Sequence, residues 1–281
     1  MSIDKPAGPT SHDVVAIVRR ALGTRQVGHA GTLDPFATGL LLVLVGSATR
    51  LARYLMGLSK EYQGIIRLGV TTDTDDATGA ITATSEAWTA LDDGSLQAAM
   101  TALTGEREQV PPAYSAKHVD GERAHRLARR GAPVSLAPSR VVIHRFELSG
   151  RQGQDLAFCA AVGSGTYLRS LARDLGAELG CGAHLLELRR TAIGPHQVTE
   201  AAPLEDVRQG RCTLQPPVAA VAHLPKTPVD ADAVQRLSRG QAIEAAQPDL
   251  AGPIALLCQD RLVAIAQPRG GQWHPEAVFA P

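Results

Sequence analysis

With 281 residues, 44% of them hydrophobic, and no formal net charge, the chain is long enough for one large domain or two of ordinary size. Its longest apolar run, Leu40 to Val45, is far shorter than the roughly 18 residues of a membrane span, and the N-terminus lacks the pattern of a signal peptide, so we expect a cytoplasmic protein. The cysteines at positions 159, 181, 212 and 258 form no C-x-x-C pair, which argues against a zinc site and against a disulfide framework.

The first predicted helix extends from Ser11 to Leu22. Ser11 can act as its N-cap, Val14 and Val18 lie on one face at helical spacing, and Gly23 is a typical stop residue. This pattern predicts an amphipathic helix.

A loop of small residues, Gly28 to Gly39, follows and carries the imidazole of His29 and the carboxylate of Asp34. Pro35 fixes its own φ and biases Asp34 toward an extended conformation, and the apolar run from Leu40 to Val45 predicts a buried strand directly after the loop. Asp34 is thereby presented at a rigid turn. It could serve a substrate, or it could cap its own loop as an Asx-turn.

The remaining predicted elements do not alternate as regular βαβ units, which favours an α+β fold with a mixed or antiparallel sheet. The further predicted strands are Tyr62 to Val70, Val141 to Leu148 and Asp155 to Val162. The further predicted helices are Thr49 to Met56, Leu96 to Leu103, Gly121 to Arg130 and Tyr167 to Leu179.

Two polar segments resemble ligand-binding loops in part. Thr72 to Gly79 is rich in aspartate but lacks the spacing of an EF-hand, so we interpret it as an acidic turn that orders a neighbouring arginine. Gly163 to Ser170 joins a strand to a helix, where backbone N–H groups can hold a phosphate, but it lacks the G-K-[ST] of a P-loop.

A cluster of basic residues lies in the predicted helix from Gly121 to Arg130, at spacings of three and four residues. Its arginines are Arg123, Arg126, Arg129 and Arg130. Contact with the phosphates of a nucleic acid and an ordinary solvated helix face both explain such a cluster. Other arginines that could flank a cleft are Arg19, Arg20, Arg25, Arg189 and Arg190.

The last part of the chain changes in character after a proline-rich segment. Gln215-Pro216-Pro217, Pro225 and Pro228 predict a linker. Beyond it, apolar segments such as Ile254 to Leu257 and Leu262 to Ile265 alternate with Gly and Pro, which predicts a small β-rich domain.

Taken in order, these segments resemble the bacterial tRNA pseudouridine synthases of the TruB family. The agreement extends over residues 4 to 190 and comprises Asp4 to Ser11, Gly28 to Gly39, Lys60 to Tyr62, Thr72 to Gly79, Pro111 to Ala116, Gly165 to Arg169 and Leu188 to Arg190. One departure is Lys117-His118, where relatives usually have an apolar residue followed by Lys. The resemblance implies a pseudouridine synthase fold over residues 1–212, with helices flanking the central sheet, and a PUA-like RNA-binding domain over residues 228–281.

The resemblance also implies a function, the isomerisation of the uridine at position 55 in the T loop of tRNA. It assigns Asp34 as the catalytic aspartate, Arg169 as its partner, Tyr62 as the ring that packs on the target uracil, Tyr167 as a further wall of the pocket and His29 as a contact to the displaced T loop. Lys5 and Pro6 are assigned to structural support, and the four arginines of the basic cluster would bind the substrate RNA.

The implied reaction needs an ionised carboxylate, which a nearby guanidinium favours, and it involves neither redox change nor group transfer, so we expect neither cofactor nor metal. Addition of Asp34 to C6, attack at C1′ and elimination through a glycal all remain open as routes. The expected partner is the T arm of tRNA, bound by a monomer without an obligatory protein partner or a membrane. Two alternatives are a noncatalytic tRNA-binding or tRNA-folding protein and an RNA-guided pseudouridine synthase.

Overall fold

The computed structural model describes residues 1–115, 117–119, 121–130, 135–246 and 250–279. The elements of the first 110 residues are β1 (Ser2–Lys5), α1 (Ser11–Leu22), β2 (Val27–His29), β3 (Thr38–Val45), α2 (Ala52–Met56), β4 (Lys60–Leu68), β5 (Val70–Thr72), β6 (Ile81–Thr84), α3 (Asp93–Ala102) and β7 (Gly105–Gln109). Those of the middle part are β8 (His118–Val119), β9 (Glu122–Arg123), α4 (Ala124–Arg129), β10 (Ser139–Gln152), β11 (Asp155–Val162), α5 (Leu168–Glu178), β12 (Ala183–Ile193), β13 (His196–Gln197), β14 (Ala202–Pro203) and α6 (Leu204–Arg208). The last part contains α7 (Pro217–Ala220), β15 (Lys226–Pro228), α8 (Ala231–Ser238), β16 (Ile243–Glu244), β17 (Ile254–Cys258), β18 (Arg261–Arg269) and β19 (Gln272–Val278).

One large mixed sheet carries most of these strands, in the order β14-β1-β3-β12-β4-β11-β10-β7, with β2 beside β3 and β13 beside β12. Its neighbours pair antiparallel except for β1 with β14 and β3 with β12, which are parallel. A second sheet near the C-terminus has the order β15-β17-β18-β19-β16. The predicted fold class, helices around a mixed sheet followed by a β-rich segment, is confirmed.

Strand β3 is buried on both faces, which explains its continuous apolar sequence. Leu40, Leu42 and Leu44 belong to a core shared with the C-terminal sheet. Leu41 and Val43 belong to a core shared with α1 and α6. The loop that carries Asp34 therefore leads into a strand that is buried on both faces.

Helix α1 begins and ends at the predicted residues, but its N-cap is Thr10 and not Ser11. Thr10 and Asp13 form a capping box, in which each side chain accepts a hydrogen bond from the backbone N–H of the other. The Ser11 hydroxyl, buried, instead accepts from the N–H of Leu33 at 2.9 Å and donates to its carbonyl at 3.1 Å. Ser11 thus fixes the residue directly before Asp34.

Several predicted elements differ in their bounds, and two of these differences have a structural reason. The strand predicted over Tyr62 to Val70 is β4, from Lys60 to Leu68, because Gly69 adopts a positive φ of 75° and starts a hairpin. The helix predicted over Gly121 to Arg130 is only α4, Ala124–Arg129, because the two residues before it pair with β8.

No helix in the described part of the chain has the length and apolar character needed to cross a membrane. The four cysteines are free, with Cys181 buried and the others half-buried. Among the described residues, no group of His, Cys, Asp and Glu is arranged to hold a metal ion.

Candidate active site

Asp34 lies in the loop between β2 and β3, with its side chain 35% exposed. Its hydrogen bonds run to Arg169, whose Nε donates to Oδ2 at 2.9 Å and whose Nη2 donates to Oδ1 at 3.3 Å. Within the described residues the carboxylate does not bond to the backbone of its own loop, so Asp34 forms no Asx-turn there. The sequence-predicted pair is thus brought together, across 135 positions of the chain.

Arg169 is held rigidly in the second position of α5, with only 5% of its side chain exposed. Besides binding Asp34, its Nη1 donates to the carbonyl of Thr74 at 3.1 Å and its Nη2 to the carbonyl of Tyr114 at 3.0 Å. A planar guanidinium fixed on several sides presents a bidentate edge that a Lys cannot reproduce.

A second carboxylate, Asp76, lies behind Arg169, with Oδ2 3.6 Å from Nε. Its other oxygen, Oδ1, accepts hydrogen bonds from the Thr74 hydroxyl at 2.8 Å and from the N–H and hydroxyl of Thr78 at 2.9 and 2.6 Å. Asp76 is 6% exposed and therefore faces the arginine, not solvent. The predicted acidic turn does order a neighbouring arginine, although the sequence did not show which aspartate reaches it.

The same turn holds a second arginine of α5. Arg173 lies one helical turn after Arg169 in α5 and forms an ion pair with Asp75 at 3.1 Å. Burial raises the pKa of the Asp75 carboxyl, and the charges of Arg173 and Arg169 oppose that rise. Backbone hydrogen bonds to Leu185 then anchor the turn to β12.

Tyr167 precedes α5 and is half-buried. The side chain of Gln109 clamps its backbone, since Oε1 accepts from the Tyr167 N–H at 2.9 Å and Nε2 donates to its carbonyl at 3.2 Å. Burial raises the pKa of the Tyr167 hydroxyl, and the negative charge of Asp34 raises it further. A side-chain hydrogen bond with Ser115 and the positive charge of Arg169 lower this pKa. Tyr167 therefore lies within the electrostatic reach of the Asp34–Arg169 pair. No local pattern in the sequence pointed to Gln109.

Tyr62 projects from β4 and is 8% exposed. It belongs to the same buried cluster as Leu33 and Ala37, which flank Asp34 in the loop. Its hydroxyl has no hydrogen-bond partner among the described residues. Tyr62 is thus a buried side chain of the cluster that also contains these two loop residues.

His29 ends β2 and meets His12 of α1 edge-to-face, with ring centroids 5.4 Å apart. Burial lowers the pKa of His29, and the charges of His12 and Arg190 lower it further. Its buried Nδ1 has no hydrogen-bond partner within the described part of the chain. A neutral imidazole is therefore favoured at neutral pH.

Lys5 is the last residue of β1 and is completely buried beside the loop. Its ammonium donates to the carbonyls of Pro6, Pro9 and Pro35 at 2.9, 3.0 and 3.2 Å. Burial lowers its pKa to about 8, against the opposing attraction of Asp34, and Arg190 contributes a smaller lowering. The contact with Pro35 ties this lysine to the residue after Asp34.

The other basic residues do not form one free surface. Arg190 is 1% exposed, Arg189 pairs with Asp4 at 2.7 Å, and Arg19 donates to the carbonyl of Val27. The expectation that Arg190 flanks a cleft at the surface is therefore wrong, because its side chain turns into the protein.

The basic helix is described only in part. Arg126 is exposed, and Arg130 is exposed but pairs with Glu122 at 2.6 Å. The side chains of Arg123 and Arg129 lie outside the described residues. Their assignment to RNA binding stays a prediction.

A cavity of about 490 Å³ lies beside the loop, along the part of β12 that pairs with β4 but not with β3. Strand β3 pairs with β12 at Arg189 and Arg190 only, and the acidic turn meets β12 again at Leu185. Between these contacts, the edge of β12 that faces β3 has no strand partner among the described residues. The cavity is lined by Ala7, Phe36, Thr38, Gln63, Gly64, Ile65, Ala77, Leu186, Glu187, Leu188 and Arg189.

Comparison with known proteins identifies the class to which this fold and site belong. Residues 19–168 match the N-terminal domain of TruB family pseudouridylate synthases, and residues 169–215 match the C-terminal domain of tRNA pseudouridylate synthase B. The chain belongs to the TruB family. The family resemblance predicted from the sequence is thus confirmed.

Similar proteins from several bacteria carry the name tRNA pseudouridine synthase B. The protein of Thermobifida fusca (strain YX) is 45% identical over 287 residues, which cover 99% of this chain and 97% of the relative. That of Arthrobacter sp. (strain FB24) is 44% identical over 295 residues, with 99% and 95% covered.

Among solved structures, the chain is similar to one in a Cbf5-Nop10-Gar1 complex, with a TM-score of 0.76 and 28% identity over 100% of this chain and 84% of the other. It is also similar to one in an H/ACA RNP bound to a substrate RNA containing 2′-deoxyuridine, with a TM-score of 0.74, 26% identity and coverage of 100% and 84%.

Proposed function

We propose that this protein isomerises uridine to pseudouridine at position 55 in the T loop of tRNA, with Asp34 as the catalytic aspartate. The observation that carries the proposal is the bidentate contact of Asp34 with Arg169, in which a partly exposed carboxylate meets a buried guanidinium. Such a pair fixes the orientation of the carboxylate and leaves part of the Asp34 side chain accessible to a nucleotide.

The reaction breaks the bond between N1 and C1′ of uridine and forms a bond between C5 and C1′. The proton on C5 leaves and N1 gains one, so the atoms balance without an oxidant or a second substrate. Asp34 supplies the carboxylate that assists the first step, and Arg169 holds it through both oxygens. This chemistry requires neither a cofactor nor a metal.

Tyr62 and Tyr167 form the walls of the base pocket in this proposal. The ring of Tyr62 offers a face on which a uracil can stack, and its phenol, which has no hydrogen-bond partner among the described residues, can take part in removing the C5 proton. The fixed backbone of Tyr167 supports the second wall, because Gln109 binds both its N–H and its carbonyl.

The target base must leave the stacked T loop to reach Asp34, because a stacked base cannot approach a carboxylate in a cleft. His29 would contact the loop from which the base is displaced. Arg123, Arg126, Arg129 and Arg130 would bind RNA phosphates, and the domain proposed over residues 228–281 would add a PUA-like RNA-binding surface to the catalytic domain of residues 1–212. We further propose that the enzyme acts in the cytoplasm as a monomer without an obligatory protein partner.

An RNA-guided synthase is the second candidate, because two similar solved structures belong to a Cbf5-Nop10-Gar1 complex and an H/ACA RNP. The higher identity to relatives of nearly the same length, 45% with 97% of the relative covered, favours direct action on tRNA. The two candidates differ in whether guide RNA and partner proteins are needed.

The deciding experiment incubates purified protein with an unmodified tRNA transcript and measures pseudouridine by base analysis. We expect modification at position 55 and none in a transcript with cytidine at that position. Asp34→Asn keeps the shape of the side chain and removes its charge, so it should bind tRNA within a few-fold of the parent and show no turnover. Modification that appears only after guide RNA and partner proteins are added would favour the second candidate, and tRNA binding without any modification would favour a noncatalytic protein.

A further inference from the structure

Arg190 is a buried arginine on β12 whose side chain reaches the loop of Asp34. Its Nε donates to the carbonyl of Leu40 at 2.7 Å, its Nη1 to that of Thr32 at 3.2 Å and its Nη2 to that of Gly31 at 3.2 Å. Gly31 and Thr32 precede Asp34, and Leu40 follows it. One side chain therefore holds the loop on both sides of the carboxylate.

The charge of Arg190 is unusual for so buried a group. Within the described residues no carboxylate forms an ion pair with it. A buried cation without a counter-ion is costly unless dipoles solvate it, and here backbone carbonyls take that part. The loop conformation and the burial of Arg190 therefore depend on each other.

The close approach of the loop to β12 at this point requires a glycine. Gly39 pairs with Arg190 in the parallel ladder and has a φ of 103°. A Cβ at this position would lie 2.2 Å from the carbonyl oxygen of Arg190. The loop is thus bound to Arg190 in two ways, through the backbone pairing of Gly39 and through the hydrogen bonds of the Arg190 side chain.

Other buried groups hold the residues nearest to Asp34. Ser11 binds both backbone groups of Leu33, and Lys5 binds the carbonyl of Pro35. Neither of them contacts both ends of the loop, whereas Arg190 does. Loss of Arg190 should therefore release the loop relative to β12 while these local contacts persist.

We propose that Arg190 is a positioning residue, which fixes the loop of Asp34 against β12 so that the carboxylate meets Arg169. The inference rests on the proposed function in that Asp34 is taken as the catalytic group. A Lys should not replace Arg190, because the arginine binds each of the three carbonyls through a different nitrogen of its planar fork, whereas a Lys would offer one nitrogen at a single point.

The test compares Arg190→Lys with Arg67→Lys. Arg67 lies on β4 of the same sheet and forms a bidentate pair with Asp155, with both contacts at 2.7 Å, so it controls for the loss of a well-formed arginine contact. Four quantities are measured: the single-turnover rate at saturating tRNA, the Kd for tRNA, the melting temperature, and hydrogen exchange in peptides that cover residues 30–41.

For Arg190→Lys we expect a rate lower by on the order of tenfold to a hundredfold, because small misplacements of a catalytic group have effects of that size. The Kd should stay within about threefold, and exchange should rise in residues 30–41 while the rest of the sheet stays protected. Arg67→Lys should change neither the rate nor exchange in that segment. If Arg190→Lys does not fold, Arg190→Gln removes the buried charge, retains an amide donor and should give the same pattern.

An Arg190→Lys rate within twofold of the parent, or a rise in exchange spread evenly over the sheet, would overturn the proposal. The parent enzyme and Asp34→Asn in the same assay separate this result from a failure of the proposed function. If the parent formed no pseudouridine, the function would be wrong, while the exchange of residues 30–41 would still decide whether Arg190 holds the loop.

Discussion

Asp34 and Asp76 share one nitrogen of Arg169, since Nε lies 2.9 Å from Oδ2 of the first and 3.6 Å from Oδ2 of the second. The two carboxylates differ in access, because the Asp34 side chain is 35% exposed and that of Asp76 6%. The buried carboxylate can hold the guanidinium, whereas the exposed one can meet a substrate. This difference predicts different consequences when each charge is removed.

Replacement of Asp76 by Asn should impair the reaction through Arg169. The amide keeps the size of the side chain but removes the negative charge beside Nε, so Arg169 should lose part of its fixed orientation. We expect the single-turnover rate to fall on the order of tenfold or more, with the Kd for tRNA nearly unchanged. Asp73→Asn is the matched control, because Asp73 is an exposed aspartate of the same turn that binds the N–H of Ala80. Equal rates for the two variants would remove Asp76 from the site.

Tyr62→Phe should separate stacking from proton transfer. The variant keeps the ring, so tRNA binding should persist, but most of the rate should be lost if the phenol takes part in removing the C5 proton. Tyr62→Ala should lose both, because stacking of a base on an aromatic ring is worth about 1–3 kcal/mol. Tyr54→Phe controls for the loss of a hydroxyl elsewhere, since Tyr54 bonds to Glu276 at 3.0 Å, outside the site. A Tyr62→Phe enzyme as fast as the parent would restrict Tyr62 to stacking.

Gly39→Ala should destabilise the protein strongly. The new Cβ would lie 2.2 Å from the carbonyl oxygen of Arg190, and the residue would keep a positive φ. Overpacking costs about 1–3 kcal/mol, and the backbone conformation adds a further amount of about 1–2 kcal/mol. Gly46→Ala isolates the second effect, because Gly46 has a φ of 61° and a Cβ added there would meet no atom within 4 Å. Urea denaturation of both variants checks the difference, and equal losses of stability would show that β3 can shift away from β12.

Charge reversal in the basic helix should reveal whether it binds RNA. Arg126→Glu combined with Arg130→Glu should weaken tRNA binding and flatten its salt dependence, with the slope of log K against log salt falling by roughly 0.7–0.9 for each lost phosphate contact. The single-turnover rate at saturating tRNA should remain close to that of the parent. The melting temperature should change little, because both side chains are exposed and such residues contribute little to stability. An unchanged salt slope would identify the cluster as an ordinary solvated helix face.

The sequence alone predicted those features that depend on short stretches of chain. Helix α1 followed from valine spacing and Gly23, and β3 followed from an apolar run. The rigid loop around Asp34 followed from its glycines and Pro35. Local patterns also suffice for the family resemblance, because motifs such as Gly165 to Arg169 are short and ordered along the chain.

The sequence was least informative where two residues could perform the same local role. Both Thr and Ser are good N-cap residues, so the sequence did not decide between Thr10 and Ser11. In the structure the Ser11 hydroxyl binds the N–H and the carbonyl of Leu33, and Thr10 caps the helix. The basic helix was predicted too long, because the pairing of β9 with β8 competes with helix formation before Ala124.

Tertiary structure decided how the site is assembled. Gln109 lies 58 positions from Tyr167, and Arg190 lies 159 positions from Gly31, so no local pattern connects either pair. The sequence showed Arg190 as one more basic residue and as part of the Leu188 to Arg190 motif, but it gave Arg190 no contact with the loop. The parallel pairing of β3 with β12 turns its side chain into the protein and onto the loop of Asp34. Local propensities and motifs determined which groups are present, and long-range strand pairing determined which of them meet, because a buried charge must find its partners wherever the folded chain provides them.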